Sequence, residues 1–196
     1  MTSPDALPER DGPREECGVF GVYAPESDVA RLAYFALYAL QHRGQESAGI
    51  ATCEGGHITT LRDLGLVSQV FSEASLRGLV GDMAIGHVRY STTGSSSSWE
   101  NTQPVYRSDR REIALAHNGN LVNAVQLHTE LREQGVQFRS TSDSEIIAAL
   151  ISTHEAERVE DAIADVMPRL EGAFSTVVMT REGIVAFRDG NGLRPL

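Results

Sequence analysis

A chain of 196 residues has room for one sizeable domain or two cramped ones. Its 41% hydrophobic and 22% charged residues exclude a disordered or fibrous chain. Seventeen Lys and Arg against 27 Asp and Glu leave a formal charge of −10, which argues against sequence-independent binding to nucleic acid or anionic membranes.

Residues 1–16, MTSPDALPERDGPREE, carry three prolines (Pro4, Pro8, Pro13) and little to bury, so they read as a flexible leader. At Cys17 the character changes to CGVFGVY, the pattern of a buried strand. Asp28 is placed to cap a helix from Val29 to about Gln41, which His42-Arg43-Gly44 ends. Strands are predicted over Ala48 to Thr52 and Ile58 to Leu61, around a turn at Glu54-Gly55-Gly56. Met83 to Val88 is the next strand, followed by STTGSSSSWENTQP, a Ser/Gly/Thr-rich stretch of a length that points to function or motion. A strand over Ile113 to Ala116 is expected to end at His117-Asn118-Gly119-Asn120. Helices follow from Ala124 to Gln134, from Asp143 to His154 and from Val159 to about Arg169. Two strands, Ala173 to Thr180 and Ile184 to Arg188, close the chain. Short turns between strands, with helices grouped between them, predict an α+β architecture with largely antiparallel sheets.

The longest apolar run, Leu32 to Leu40, is about half of what a bilayer span needs. The N-terminus has no signal-peptide pattern, and two cysteines, Cys17 and Cys53, make a disulfide framework improbable. A reducing, cytoplasmic setting is expected.

Several common sites are absent from the sequence. It has no G-x-G-x-x-G, no G-x-x-x-x-G-K-[ST], no H-E-x-x-H and no G-x-S-x-G, so no phosphate loop, zinc site or nucleophile elbow is legible. Cys17 is either a small buried hydrophobe or a nucleophile. If the chain were cut before it, one residue would hold both a thiol and an α-amine titrating at about 7.7–8.0, a nucleophile with its own base. Arg89, at a strand end in GHVRYSTTG, is a surface arginine or a bidentate carboxylate clamp. In TSDSE, Ser142 with Glu145 predicts a capping box, and Asp143 suits the helix N-terminus. An Arg and an Asp at one pocket would also bind the two ends of an α-amino acid. Asn118-Gly119 is a turn signal, or else an amide and a glycine N–H able to form an oxyanion hole.

Seven blocks together resemble the class II glutamine amidotransferases. They are CGVFG from Cys17, LQHRGQESAGI from Leu40, GHVRYSTTG from Gly86, NTQPV from Asn101, AHNGNLVN from Ala116, TSDSE from Thr141 and GAFS from Gly172. They follow the family's order from Cys17 to the end of the chain. Gln45-Glu46 and Tyr90-Ser91 are similar to the branch whose ammonia acceptor is phosphoribosyl pyrophosphate, the branch that opens purine synthesis. The glucosamine-6-phosphate synthase branch, the alternative, usually has Tyr-Asp and Trp-Ala at those positions.

The resemblance implies a four-layer αββα sandwich of the N-terminal nucleophile hydrolase type. It implies that Cys17 attacks the glutamine side-chain amide, with its α-amine freed by removal of residues 1–16. Asn118 and Gly119 resemble the oxyanion hole, and Arg89 and Asp143 the ligands of the glutamine α-carboxylate and α-ammonium. Thr92 and the loop after it resemble the segment that closes over glutamine, while Arg43 and Tyr90 resemble supporting residues. Residues 17–196 are thus expected to be the glutaminase domain. The family's phosphoribosyltransferase half, with paired acids after an apolar strand, matches nothing in this sequence. That half would bind magnesium with phosphoribosyl pyrophosphate, and in relatives with such a leader it often carries an iron–sulfur cluster; no cofactor or metal is expected in the residues at hand. A homo-oligomer is implied for the complete enzyme. Gly190 stands where the family usually has proline, and Cys53 has no assigned role. With the leader attached the proposed base would not exist, so a catalytically silent interaction domain is the alternative of a different class.

Overall fold

The computed structural model describes residues 17–90, 98–140 and 142–196. The leader and Thr92 lie outside the described residues.

In chain order, β1 (Cys17–Tyr23) leads into α1 (Val29–Ala39), then β2 (Ser47–Glu54) and β3 (His57–Leu64). Two short helices, α2 (Val67–Val70) and α3 (Glu73–Arg77), precede β4 (Met83–Arg89). After β5 (Val105–Ser108) and β6 (Glu112–Leu121) come α4 (Ala124–Glu133), α5 (Asp143–Thr153) and α6 (Val159–Val166). The strands β7 (Gly172–Met179) and β8 (Ile184–Arg188) complete the fold. The strands form two four-stranded sheets, ordered β1-β4-β2-β3 and β5-β6-β7-β8, and every pairing in them is antiparallel.

Period-two alternation explains how the layers assemble. On β4, Ala84 and Val88 face outward, where Val29, Ala33 and Leu37 of α1 cover them. Met83 and Ile85 face inward and meet Ala114 and Ala116 of β6 and Val177 and Met179 of β7. On the far side of the second sheet, Ile113, Leu115, Phe174 and Val178 pack under Leu127, Leu131, Ile147 and Ile151. The result is the αββα sandwich, helices on both outer faces and a thin apolar layer between the sheets.

Local chemistry departs from expectation in four places. α2, α3 and β5 were not predicted, being four or five residues long and too short for a periodic pattern to register. β6 does not stop at His117 but continues through Leu121, so Asn118-Gly119 lies within a strand rather than in a turn. α6 ends at Val166, and a 3₁₀ turn over Met167–Arg169 takes the rest of the predicted helix. The capping box at α5 is only half formed. Ser142 Oγ accepts from Glu145 N at 3.3 Å. The Glu145 carboxylate instead accepts from Arg139 N at 2.9 Å and from Ser140 N at 2.6 Å, and pairs with Arg107 at 3.2 Å.

His87 is the polar exception in the layer between the sheets. It is wholly buried, with Nε2 3.1 Å from the carbonyl oxygen of His117. Burial lowers its pKa to about 3, and burial with the charge of Arg194 lowers that of His117 to about 4. His87 is therefore neutral, and because its partner is a carbonyl its one proton sits on Nε2. Both rings titrate near 6.5 when unfolded, so the unfolded chain takes up protons first as pH falls. Their contribution to stability is complete above about pH 6.5. It is lost on descending towards 4 and 3, at up to about 1.4 kcal/mol per pH unit for each ring. Denaturant midpoints should fall steadily from pH 7 to pH 5, and fall less in His87→Gln; a midpoint constant over that range would contradict neutral burial.

Candidate active site

The register of the first sheet sets one edge of the site. Cys17 pairs across β1 and β4 with Arg89, and Ser47 of β2 pairs with Arg89 from the other side. In the second sheet, Asn118 and Gly119 of β6 stand opposite Ser175 and Phe174 of β7. The first turn of α5 supplies Asp143, whose Oδ2 accepts from Leu121 N at 2.7 Å and so ties the helix to the end of β6. Cys17, Arg89, Tyr90, Asn118, Gly119 and Asp143 all line one cavity of about 390 Å³. Five of these six are residues whose chemistry the sequence singled out; Tyr90, a supporting residue by resemblance, is 42% exposed at the rim.

The groups differ in how they are held. Arg89 is fixed from behind: Nη1 donates to Asn101 O at 3.3 Å, and Nε lies 3.9 Å from Glu46 Oε2 with both side chains largely buried. Asp143 is held by one backbone N–H, and burial raises its carboxyl above the usual carboxylate range while that hydrogen bond pulls the other way. The Asn118 side chain is buried yet makes no hydrogen bond among the described residues, which leaves its amide to the cavity. Gly119 has φ 142°, and a Cβ there would lie 2.1 Å from Ala173 O, so only glycine allows this backbone beside β7.

Arg43 lies elsewhere than the polar cavity. Its Nε donates to the Cys17 carbonyl at 3.1 Å, and with Phe20, Leu40, Val177 and Ile184 it lines a second, more apolar cavity that also touches Cys17. Cys53 is buried between the sheets, where burial pushes its thiol up. Among the described residues no group of three or more His, Cys, Asp or Glu could hold a metal, and no helix is long and apolar enough to cross a membrane.

Several residues lining the cavity had no predicted role, Gln103, His117 and Arg194 among them. Gln103 stood in NTQPV, but its partner is the backbone of β6, a contact sequence spacing does not reveal. Arg194 arrives through a fold-back after β8. The Asp189 carboxylate accepts from Asn191 N, Leu193 N and Phe174 N, all at 3.1 Å, and bends the chain onto β7. The Asp-Gly-Asn-Gly run from Asp189 was a legible turn signal; where it would lead was not.

Chemically, the cavity offers a thiol beside a cation, a half-buried carboxylate, and, next to a glycine, an amide with no hydrogen bond among the described residues. A zwitterion with a polar side chain suits that set: a carboxylate for the guanidinium, an ammonium for the carboxylate, and an oxygen gaining charge for the amide.

Residues 87–196 match a family described as the glutamine amidotransferase domain. Amidophosphoribosyltransferase of Mycobacterium tuberculosis (strain ATCC 25618 / H37Rv) is 50% identical over 199 residues, covering 96% of this chain and 38% of the relative. Its counterpart in Synechocystis sp. is 53% identical over 191 residues, covering 95% of this chain and 38% of that protein. Among solved structures, the glutamine phosphoribosylpyrophosphate amidotransferase of B. subtilis complexed with ADP and GMP superposes with a TM-score of 0.82 at 40% identity, over 90% of this chain and 38% of its own. A structure described as the allosteric regulatory enzyme of purine biosynthesis gives 0.84 at 41%, with the same coverage. The chain thus spans about two-fifths of the length of the relatives it matches. With more than half of its residues matched and the sandwich shared, the chain belongs to the glutamine amidotransferase domain family.

Proposed function

We propose that this chain is the glutaminase portion of an amidophosphoribosyltransferase, and that it acts once residues 1–16 have been removed. The observation that carries the reading is the convergence of Cys17, Arg89, Asn118, Gly119 and Asp143, from two sheets and a helix, on a single cavity. The names of the relatives support the choice of parent enzyme.

The Cys17 α-amine takes the thiol proton, and Sγ attacks the glutamine side-chain carbonyl carbon. The oxygen that gains charge is met by the Asn118 amide and the Gly119 N–H. Collapse breaks the C–N bond, the α-amine returns its proton to the departing nitrogen, and ammonia leaves a γ-glutamyl thioester on Cys17. Water, deprotonated by the same amine, then attacks the thioester carbonyl carbon. The C–S bond breaks, the amine returns the proton to Sγ and glutamate leaves, so the net reaction is glutamine and water to glutamate and ammonia. Arg89 holds the α-carboxylate, Asp143 the α-ammonium, and Tyr90 stands at the pocket's mouth. Arg43, through the Cys17 carbonyl, keeps the nucleophile's backbone in place.

In the complete enzyme the ammonia would displace pyrophosphate from phosphoribosyl pyrophosphate, a glycosyl transfer giving phosphoribosylamine. Magnesium would enter with that substrate and an iron–sulfur cluster would be ligated by the same part of the protein, neither by the residues described here. We read the enzyme as cytoplasmic and homo-oligomeric.

Mass spectrometry of the mature protein should show residues 1–16 missing, and Cys17→Ala should abolish glutamate release. Undiminished release by Cys17→Ala would refute the nucleophile.

The pocket residues make a second test. Arg89→Ala and Asp143→Asn should each raise the KM for glutamine roughly 10- to 150-fold, the effect of losing a charge-assisted bond. Asp143→Asn should do so without lowering Tm at pH 7. The carboxyl is raised by burial, so its ionised form is disfavoured in the fold above the ordinary carboxylate range, and an amide oxygen still accepts from Leu121 N. An unchanged KM in both variants would exclude the assigned roles.

A further inference from the structure

β5 pairs with β6 through Val105 opposite Leu115, and there its ladder stops. Continued by two residues, the register would set Gln103 opposite His117, one position before Asn118. The backbone does not make that rung, because at Gln103 it turns onto β2: its carbonyl lies so close to Gly49 that a Cβ there would sit 2.0 Å from the oxygen. The Gln103 side chain makes the rung instead. Its Oε1 accepts from His117 N at 2.8 Å, and its Nε2 donates to His117 O at 3.3 Å. The same carbonyl accepts from His87 Nε2 at 3.1 Å. Gln103 is 6% exposed, and although it lines the cavity both its polar atoms are committed to β6.

We propose that Gln103 is a positioning residue for the oxyanion site, its side-chain amide standing in for a strand so that β6 presents Asn118 and Gly119 at a fixed depth. The inference rests on the glutaminase reading above. The segment around Gln103 is itself anchored to the first sheet. Arg62 of β3 donates to Thr102 O and to Pro104 O, and Arg89 donates to Asn101 O. One short stretch therefore touches the proposed carboxylate clamp at one end and the oxyanion strand at the other. It sets the distance between groups carried on different sheets.

Losing an interaction that matters only when charge develops on the oxygen lowers kcat and spares ground-state binding. In the full-length protein, Gln103→Ala should lower kcat for glutamate release about 10- to 100-fold with KM within about twofold of wild type. The γ-aldehyde analogue of glutamine separates this effect from loosening of the fold. Cys17 Sγ adds to its carbonyl carbon, the π bond opens onto oxygen, and the oxygen lies in the proposed hole. Its affinity should fall with kcat, whereas that of glutamate should not change. Gln103→Glu keeps an acceptor for His117 N but, when ionised, no proton for His117 O. Relative to wild type its kcat should recover as pH falls and the carboxyl becomes a donor, which keeps the inference testable if the alanine variant does not fold. Equal losses of aldehyde and glutamate affinity, or wild-type kcat in both variants, would overturn the positioning role alone. A wild-type enzyme that releases no glutamate would overturn the glutaminase reading and this inference with it.

Discussion

Everything at the site depends on how closely two antiparallel sheets can lie face to face. The layer between them is built from Ala51, Cys53, Ala114 and Ala116, with Met83, Ile85, Val177 and Met179 filling the remainder. Small side chains at these inward positions leave little to separate the strands. Cys17 and Arg89 at the end of one sheet can therefore share a cavity with Asn118 and Gly119 on the other. Glycine appears where even a methyl group would be too large. Gly49 admits the Gln103 backbone, and Gly119 admits Ala173. These are constraints of volume, and they precede any question of chemistry.

Charge is then distributed over the cavity in an uneven way. Arg89 has Glu46 nearby and Asn101 O on its fork, so its orientation is set before any ligand arrives. Asp143 has only a backbone N–H, and burial works against its ionised form. A carboxylate in that condition gains more from an incoming cation than one already paired, because the cation offsets a desolvation cost that the fold has left standing. The two histidines close by contribute no charge at neutral pH. His87 acts as a neutral donor to the β6 backbone, so an oxygen that gains charge at Asn118 would meet fixed dipoles rather than a mobile proton.

The parts of this picture that were legible in the sequence are those whose signals are local. CGVFGVY read correctly as a strand but not as a buried one, since at the edge of its sheet only Gly18 is buried and Gly21 and Tyr23 are exposed. Asp28 read as a cap, and its carboxylate does reach Arg31 N at 3.0 Å. Cys17 stood out because a proline-rich, charged stretch with little to bury runs straight into it. Asn118-Gly119 misled as a turn for a physical reason. Positive φ at glycine usually marks a reversal, but here it lets one strand come close to another. Glu145 misled in the same way, its short-range capping partner displaced by Arg107 and the backbone of Arg139 and Ser140. Gln103, His87 and Arg194 act across the fold, on partners that no spacing rule connects.

The proposed removal of residues 1–16 makes a demand on the fold that can be examined from Cys17 onward. A new N-terminus is useful as a base only if its position does not depend on the residues that leave. Cys17 is placed by its pairing with Arg89 on β4 and by the bond from Arg43 to its carbonyl, both made by residues that stay. Gly18 next to it is wedged against Val88 and Leu40, where an added Cβ would lie 2.8 Å from one and 3.0 Å from the other. Gly44 keeps the Arg43 segment against the backbone of Arg89, where a Cβ would lie 2.7 Å away. The strand end is thus locked on the side that follows the cut. In a protein whose nucleophile and base share one residue, that local rigidity does the work that separately placed side chains do in a catalytic dyad.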